Sequence, residues 1–158
     1  MKLIPEPLTR EVFAPFGKVL QVEGAAHFPI NGGMTDRVHA LAEAETDPEG
    51  KAILSIFRSR RWPDPIRIEM LERHPLGSQS FMPLSAHDWL VVVAERPEAE
   101  ALRCFRARGD QGVQYATGVW HHPLLVLEPQ QDFLIVDRDG PGDNLEEVIL
   151  PGGIEIQS

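Results

Sequence analysis

Residues 89–94 read Trp89-Leu90-Val91-Val92-Val93-Ala94 and contain no charged or amide side chain. Successive side chains of a β-strand point to opposite faces of its sheet, so a strand with this sequence is apolar on both faces. Such a strand is stable only where other parts of the protein cover both of its faces. The stretch therefore predicts a strand in the centre of a sheet rather than at its edge.

Short β-branched, aromatic or alternating runs recur on both sides of this strand. Turn residues separate nearly all of them, for example in Pro63-Asp64-Pro65 and Asp139-Gly140-Pro141-Gly142. Seven or more short strands with little helix indicate an all-β sandwich or barrel, and residues 1–158 fit a single domain. The predicted strands are Ile53–Arg58, Ile66–Glu72, Trp89–Ala94, Leu102–Ala107, Pro123–Leu127, Phe133–Asp137 and Val148–Leu150.

Helical signals are confined to the first third of the chain. Thr9 is a good N-cap for one helical turn that extends to Ala14, and Pro15 prevents its continuation. A second short helix is predicted over Val38–Glu45, because Leu and Glu favour helix there and Pro48 follows. The expected fold is thus mainly β, with one or two short helices near the N-terminus.

Composition limits the classes of function. The formal net charge of −9 argues against a nucleic-acid partner, because phosphates would be repelled, but it leaves room for a small anionic substrate in a locally cationic pocket. The single cysteine, Cys104, lies in an alternating run and is expected to be a buried structural thiol. No signal peptide and no membrane span are visible, so a cytoplasmic protein is expected.

The first of two unusual segments is Leu71-Glu72-Arg73-His74-Pro75-Leu76-Gly77-Ser78-Gln79. Glu72 and His74 are two residues apart and therefore share one face of a strand. Pro75 and Gly77 break that strand, and Gln79 begins the next one. The pattern predicts that Glu72, His74 and Gln79 meet around one concavity.

The second segment is Ala116-Thr117-Gly118-Val119-Trp120-His121-His122-Pro123. In an extended chain His121 and His122 point to opposite faces. Only one of them can then face inward, and His121 is preferred. The other is expected to meet solvent or a subunit neighbour.

These segments resemble the two barrel motifs of the cupin superfamily, in which His-x-His and a later Glu meet one His from a second motif. The matching positions here are Glu72, His74, Gln79, Gly118 and His121. One His is replaced by Glu72, and the usual Glu is replaced by Gln79. The resemblance implies a cupin-like β-barrel or jelly roll. A divalent metal held by Glu72, His74, Gln79 and His121 is compatible with these donor types.

A closer resemblance is to the ureidoglycolate lyase family, formerly called ureidoglycolate hydrolase. The stretches that carry it follow the family's order along almost the whole chain. The resemblance implies a homodimeric carbon–nitrogen lyase of the amidine-lyase class, associated with nickel, that releases glyoxylate and urea in allantoin breakdown, a part of purine catabolism. The matching stretches are Glu72-Arg73-His74-Pro75-Leu76-Gly77, Gln79, Phe81, Pro83, Val119–Leu124, Ile30-Asn31, Gly33, Arg37, His39, Gly109, Gln111-Gly112-Val113, Tyr115, Asp132-Phe133-Leu134 and Asp137-Arg138.

The chemistry of this substrate assigns candidate roles. Ureidoglycolate has a carbon that bears both a hydroxyl and a ureido nitrogen, so its cleavage needs a base for the hydroxyl proton and an acid for the leaving nitrogen. His74 or His121 is expected to receive or polarise the hydroxyl, with Glu72 as base or metal ligand. Gln79 is expected to hydrogen-bond the glyoxylate oxygen or the ureido group.

The substrate carboxylate calls for an arginine, whose planar fork binds it with two charge-assisted hydrogen bonds. Arg58 is the first candidate, followed by Arg73 and Arg37. Asn31 and His122 complete the set of expected substrate-binding residues, although Asn31-Gly32-Gly33 is also an ordinary turn sequence.

Two other functions remain open from the sequence. A metal-dependent cupin oxygenase is disfavoured because the first motif lacks its second histidine. A non-catalytic cupin that binds a small molecule is the third alternative. Release of glyoxylate and urea in equal amounts distinguishes the lyase from both.

Overall fold

The computed structural model covers all 158 residues and consists almost entirely of strands. The α-helix α1 spans Arg10–Phe13, and two 3-10 turns span Asn31–Gly33 and Ala99–Ala101. The strands are β1 (Lys2–Leu3), β2 (Pro5–Pro7), β3 (Gly17–Leu20), β4 (His27–Ile30), β5 (Thr35–Val38), β6 (Lys51–Arg60), β7 (Arg67–Arg73), β8 (Gln79–Pro83), β9 (Trp89–Ala94), β10 (Leu102–Ala107), β11 (Gly112–Tyr115), β12 (Trp120–His121), β13 (Leu125–Val126), β14 (Gln130–Asp139) and β15 (Glu146–Ile156).

The strands form two main sheets and one separate hairpin. The larger sheet has the order β1-β15-β7-β12-β9-β10-β2, and β13 also pairs with β9. The smaller sheet has the order β3-β11-β8-β14-β6, and β4 and β5 pair only with each other. Strand β9 lies inside the larger sheet and is buried along its whole length, so the prediction of a central strand is confirmed.

The N-terminal segment joins the two ends of the larger sheet. Its first strand, β1, runs parallel to β15, and its second, β2, runs parallel to β10. One extended segment thus pairs with the strands at both ends of the sheet and closes it into a barrel. Closure satisfies backbone groups that would otherwise be left exposed at a sheet edge.

Two apolar cores lie on opposite faces of β9. Val91 and Val93 belong to the core between the two sheets, together with Phe105 and Phe133. The alternate residues of β9, among them Val92, belong to the core inside the closed larger sheet. The all-β barrel expected from the sequence is therefore confirmed, and the central strand forms a wall between its two cores.

The predicted strands all coincide with observed ones, although only part of Pro123–Leu127 is paired. The capped turn is also confirmed, because the Thr9 hydroxyl accepts a hydrogen bond from the Val12 amide at 3.2 Å. Cys104 is fully buried, as expected, and burial raises the pKa of its thiol to about 12.

The helix predicted over Val38–Glu45 is wrong, because Val38 ends β5 and the following residues are irregular. The backbone of this segment is hydrogen-bonded to other strands instead of to itself. The amide of Glu45 donates to Ser78 Oγ at 2.8 Å, and the carbonyl of Glu43 accepts from Gln114 Nε2 at 2.9 Å. Tertiary hydrogen bonds have thus overridden a weak helix propensity. No helix of the chain is long and apolar enough to span a membrane.

Replacing Phe105 with Ala tests the core between the sheets. Phe105 is fully buried and packs against Phe13 and Phe16 with ring centroids 5.9 and 6.3 Å away. We expect the free energy of unfolding to fall by about 3–5 kcal/mol because a cavity replaces the ring. Urea denaturation measures the change, and Leu84→Ala at an exposed position is the control, expected to stay within about 0.5 kcal/mol.

Candidate active site

Three neighbouring strands bring the predicted inward residues together between the two sheets. Glu72 on β7 is directly opposite His121 on β12. Their strand neighbours Leu71 and Trp120 point into the other core, so alternation directs both Glu72 and His121 toward the smaller sheet. Gln79 comes from β8 on that sheet, on the same face as the core residue Phe81.

The side chains of Glu72, His74 and His121 form a compact cluster. One potential ligand atom from each residue lies within 4.8 Å of the others. The Glu72 Oε1 atom is 3.6 Å from His121 Nε2, and the rings of His74 and His121 have centroids 5.1 Å apart. The sequence prediction that these three residues approach one another agrees with this arrangement.

Backbone carbonyls orient both imidazole rings of the cluster. His74 Nδ1 lies 2.9 Å from the Asn144 carbonyl oxygen, and His121 Nδ1 lies 2.9 Å from that of Val119. A carbonyl only accepts, so each Nδ1 carries the proton and donates it. In the neutral ring the lone pair is then on Nε2, the tautomer that binds metals or accepts protons.

Gln79 is oriented by a side chain from the neighbouring strand. Its Nε2 donates to Asp137 Oδ2 at 3.1 Å, which places the amide nitrogen toward Asp137. The Oε1 atom of Gln79 is buried without a hydrogen-bond partner, as are the Nε2 atoms of His74 and His121. Because buried acceptors are normally satisfied, these three atoms suit a cation or the donors of a ligand.

Glu72 is the carboxylate of the cluster, and its environment favours the charged form. Burial by itself raises the pKa of this carboxyl, but the nearby His121, whose Nε2 is 3.6 Å from Glu72 Oε1, lowers it by more, with further contributions from His74 and His122. The pKa of Glu72 therefore lies below its usual value. The cluster thus combines the Glu72 carboxylate with the Nε2 atoms of His74 and His121 and the amide oxygen of Gln79.

A cleft opens beside Glu72 and Gln79. Its volume is about 440 Å³, and its lining includes the apolar side chains of Phe81, Leu124 and Trp62. The two histidines of the cluster are not part of this lining. A molecule in the cleft would therefore meet the Glu72 carboxylate and the Gln79 amide first.

Tyr115, Asp137 and Asn144 support the site, although the patterns in the sequence predict no role for them. The Tyr115 ring stacks on His121 with centroids 4.2 Å apart and planes inclined by 15°. Burial raises the pKa of this phenol above its usual value, so it stays neutral. Alternation along β11 was a usable signal for Tyr115, whereas Asp137 and Asn144 lie 58 and 70 residues from their partners.

His122 does not join the cluster. The expectation that it meets solvent or a subunit neighbour is wrong, because it is 3% exposed and packs inside the chain against Trp62, with centroids 5.0 Å apart. Its Nδ1 is hydrogen-bonded to the Pro123 carbonyl at 2.8 Å. Burial lowers the pKa of His122, so the ring forms a neutral wall behind the cleft.

The arginines expected to bind the carboxylate are engaged elsewhere. Arg58 is adjacent to the inward Phe57 and so points to the outer face of its sheet, where Asp132 holds it through two hydrogen bonds of 3.0 and 3.1 Å. Arg73 likewise forms a bidentate pair with Glu146 and covers the Trp120 ring.

Asn31 and Arg37 lie on the hairpin formed by β4 and β5, away from the cluster. Asn31 occupies the left-handed region (φ 52°) at the hairpin tip, as an asparagine in a tight turn often does. Arg37 is exposed and forms no ion pair. The chain therefore does not bring these two residues to its own cleft.

The barrel and its cleft, with a carboxylate and buried imidazoles, define an all-β enzyme with a candidate metal site. The model of the ureidoglycolate lyase family matches residues 1–157. The chain therefore belongs to the ureidoglycolate lyase family, and it is a lyase. The resemblance found in the sequence is thereby confirmed.

Individual relatives agree with this assignment. The chain is 56% identical over 150 residues to the ureidoglycolate lyase of Pseudomonas syringae pv. syringae (strain B728a), an alignment that covers 92% of this chain and 88% of the relative. It is 52% identical over 153 residues to that of Pseudomonas entomophila (strain L48), covering 94% and 92%. A mutant oxalate decarboxylase of Bacillus subtilis aligns with a TM-score of 0.38 and 9% identity over 73% of this chain and 32% of that one.

Replacing Asp137 with Asn tests the orientation of Gln79. An amide at position 137 offers a donor to Gln79, which favours rotation of the Gln79 amide and withdraws its oxygen from the cluster. We expect affinity for a divalent cation to fall by about 10–100-fold, as for other residues that orient ligands. Isothermal titration calorimetry measures it.

The matched control is Asp132→Asn on the same strand, because Asp132 points to the opposite face and binds Arg58. This variant is expected to bind the cation as the unaltered protein does. Unchanged affinity in Asp137→Asn would contradict a role for Gln79 Oε1 in cation binding.

Proposed function

We propose that this chain cleaves ureidoglycolate to glyoxylate and urea by elimination at the carbinolamine carbon, as a step of purine breakdown. The observation that carries the proposal is the set of buried, unpartnered acceptors beside Glu72, at the base of a cleft large enough for a small substrate. The names of the similar relatives support this substrate. We further propose one catalytic site in a single domain, residues 1–158.

Glu72 is the proposed proton carrier. It lines the cleft, whereas His74 and His121 do not. Its carboxylate accepts the proton of the substrate hydroxyl, the oxygen electrons form the aldehyde C=O bond, and the C–N bond breaks with its electron pair moving to nitrogen. The same proton then passes from Glu72 to that nitrogen and completes urea, so no water is consumed.

His74 and His121 are proposed to hold a divalent metal through Nε2, with Glu72 and the Gln79 carbonyl oxygen as the remaining ligands. The fit rests on the donor set, because each of these atoms is an acceptor and three of them are buried without a partner. Nickel is the proposed metal, since imidazole with oxygen donors suits it. A cation bound there would lower the pKa of a coordinated hydroxyl group.

Gln79 and the walls of the cleft are proposed to position the substrate. With its Nε2 atom directed to Asp137, Gln79 presents oxygen to the cleft and accepts from a ureido N–H or a hydroxyl. Phe81, Leu124 and Trp62 form apolar walls that limit water access and strengthen the polar contacts. The proposed working form is a cytoplasmic homodimer.

Replacing Glu72 with Gln tests the proton carrier while preserving size. We expect kcat to fall by about 10²–10⁴-fold, the usual contribution of general acid–base catalysis. Glu69→Gln on the same strand is the matched control, because Glu69 is exposed and its loss should leave kcat unchanged. Full turnover by Glu72→Gln would contradict the assignment.

The products decide between the lyase and the other candidates. We expect glyoxylate and urea to appear in equal amounts, measured by hydrazone formation and by urease-coupled ammonia release. Ammonia formed before urease is added would indicate an amidohydrolase. Binding of ureidoglycolate without any product would favour a binding protein, and oxygen consumption would favour an oxygenase.

A further inference from the structure

The hairpin formed by β4 and β5 lacks a partner within its own chain. Its strands contact each other and the turn between them, and nearly all of their side chains are exposed. Phe28 is 43% exposed and Met34 is 87% exposed. An isolated two-stranded hairpin is at best marginally stable in water, so this one requires a surface that covers it.

The cleft, in turn, has no free side-chain cation for the carboxylate of an anionic substrate. Arg58 is the only arginine in its lining, and its guanidinium is bound by Asp132. Across the chain most arginines form ion pairs with Asp or Glu. The exceptions are Arg10, Arg37 and Arg60.

Of these three arginines only Arg37 is available to a neighbouring molecule's cleft. Arg10 donates to the Gln21 carbonyl and lines a different cavity. Arg60 lies on the same outer face of β6 as Arg58, because the two residues are two apart. Arg37 is exposed on the unpartnered hairpin and has no acidic partner.

The topology prevents the hairpin from serving its own cleft. It follows β3, the edge strand farthest from β6 in the smaller sheet, and four strand spacings separate those edges by roughly 19 Å. Residues 40–44, which follow the hairpin, pack with Met82 and Leu134 on the outer face of that sheet. The cleft lies on the inner face, so the sheet stands between Arg37 and Glu72.

We propose that the hairpin of one copy of this chain docks beside the cleft of a second copy and supplies Arg37 to the substrate carboxylate there. This rests on the proposed function, and it makes each active site a product of two chains. The surfaces are complementary: the hairpin carries Phe28, Met34 and a free cation, while the cleft mouth exposes Phe57 (39%) and Trp62 (39%) beside the charge of Glu72. The guanidinium forms two charge-assisted hydrogen bonds with the carboxylate.

Substitution of Arg37 measures its contribution. Arg37→Ala is expected to lower kcat/KM for ureidoglycolate by about 10–100-fold, mainly through KM, because charge-assisted hydrogen bonds to the substrate are lost. Arg37→Lys should be intermediate, because it keeps the charge and loses the fork. Arg96→Ala, at an exposed arginine outside the site, is the control and should not change kcat/KM. Unchanged kcat/KM in Arg37→Ala overturns the proposal.

Mixed oligomers then show whether Arg37 acts in the active site of the partner copy or in that of its own chain. Arg37→Ala and Glu72→Gln chains are coexpressed with different affinity tags and purified through both tags. In a mixed dimer, one site combines the intact Glu72 of one chain with the intact Arg37 of the other, so about half of the unaltered activity should return. A mixed dimer no more active than its parents, or a chain that yields no mixed oligomer, overturns the proposal.

Cross-linking tests the docking without any measurement of activity. Met34→Cys chains are mixed with Ser59→Cys chains and treated with a bismaleimide; Ser59 lines the cleft, and the natural Cys104 is fully buried and does not compete. A covalent dimer is expected from this mixture and not from Met34→Cys mixed with Leu84→Cys. Absence of the covalent dimer overturns the proposal. If the covalent dimer forms but the unaltered protein releases neither glyoxylate nor urea, the docking is supported and only the proposed function is refuted.

Discussion

The alternation of side chains along β9 is the constraint on which the barrel and its site depend. Residues of odd number enter the core between the sheets, and residues of even number enter the other core. Strand β12 pairs with β9 and follows the same division, so Trp120 enters one core while His121 faces the other sheet. A register slip of one residue would exchange these two side chains. The apolar pattern of β9 therefore fixes the direction of His121 before any polar contact does.

Backbone carbonyls determine how the two imidazole rings of the cluster are oriented. Alternation directs His74 and His121 inward, but the hydrogen bonds of their Nδ1 atoms decide which nitrogen faces the site. Leaving the Nε2 atoms and Gln79 Oε1 buried without partners costs on the order of 1–3 kcal/mol each. Three of the four buried polar side-chain atoms without a partner lie together in this cluster, which is typical of a site in which a ligand supplies the missing interactions.

The sequence could predict those parts of the site that depend on local pattern. Alternation along short strands was sufficient to select Glu72, His74, Gln79 and one of His121 or His122, with His121 matching the cupin motif, and apolar runs were sufficient to predict the barrel. The orientation of Gln79 depends on Asp137, 58 residues away, and no local pattern indicates that pairing. The helix predicted over Val38–Glu45 failed for the same reason, because its backbone partners are supplied by distant strands.

Electrostatics explain why the residue that binds the substrate carboxylate is the hardest one to predict from the sequence. In a chain with net charge −9, Asp and Glu side chains outnumber arginines. Most arginines on the outer faces of the sheets are therefore bound by an acidic side chain on a neighbouring strand, as Arg58 is by Asp132. Alternation directs the side chains of Arg58 and Arg73 to outer faces, since each follows a residue that points inward. The cluster itself consists of acceptors and one carboxylate, so an anion cannot remain beside it without added positive charge. We propose that a divalent metal supplies this charge at the cluster and that Arg37 of a second copy binds the substrate carboxylate from a surface that the barrel leaves free.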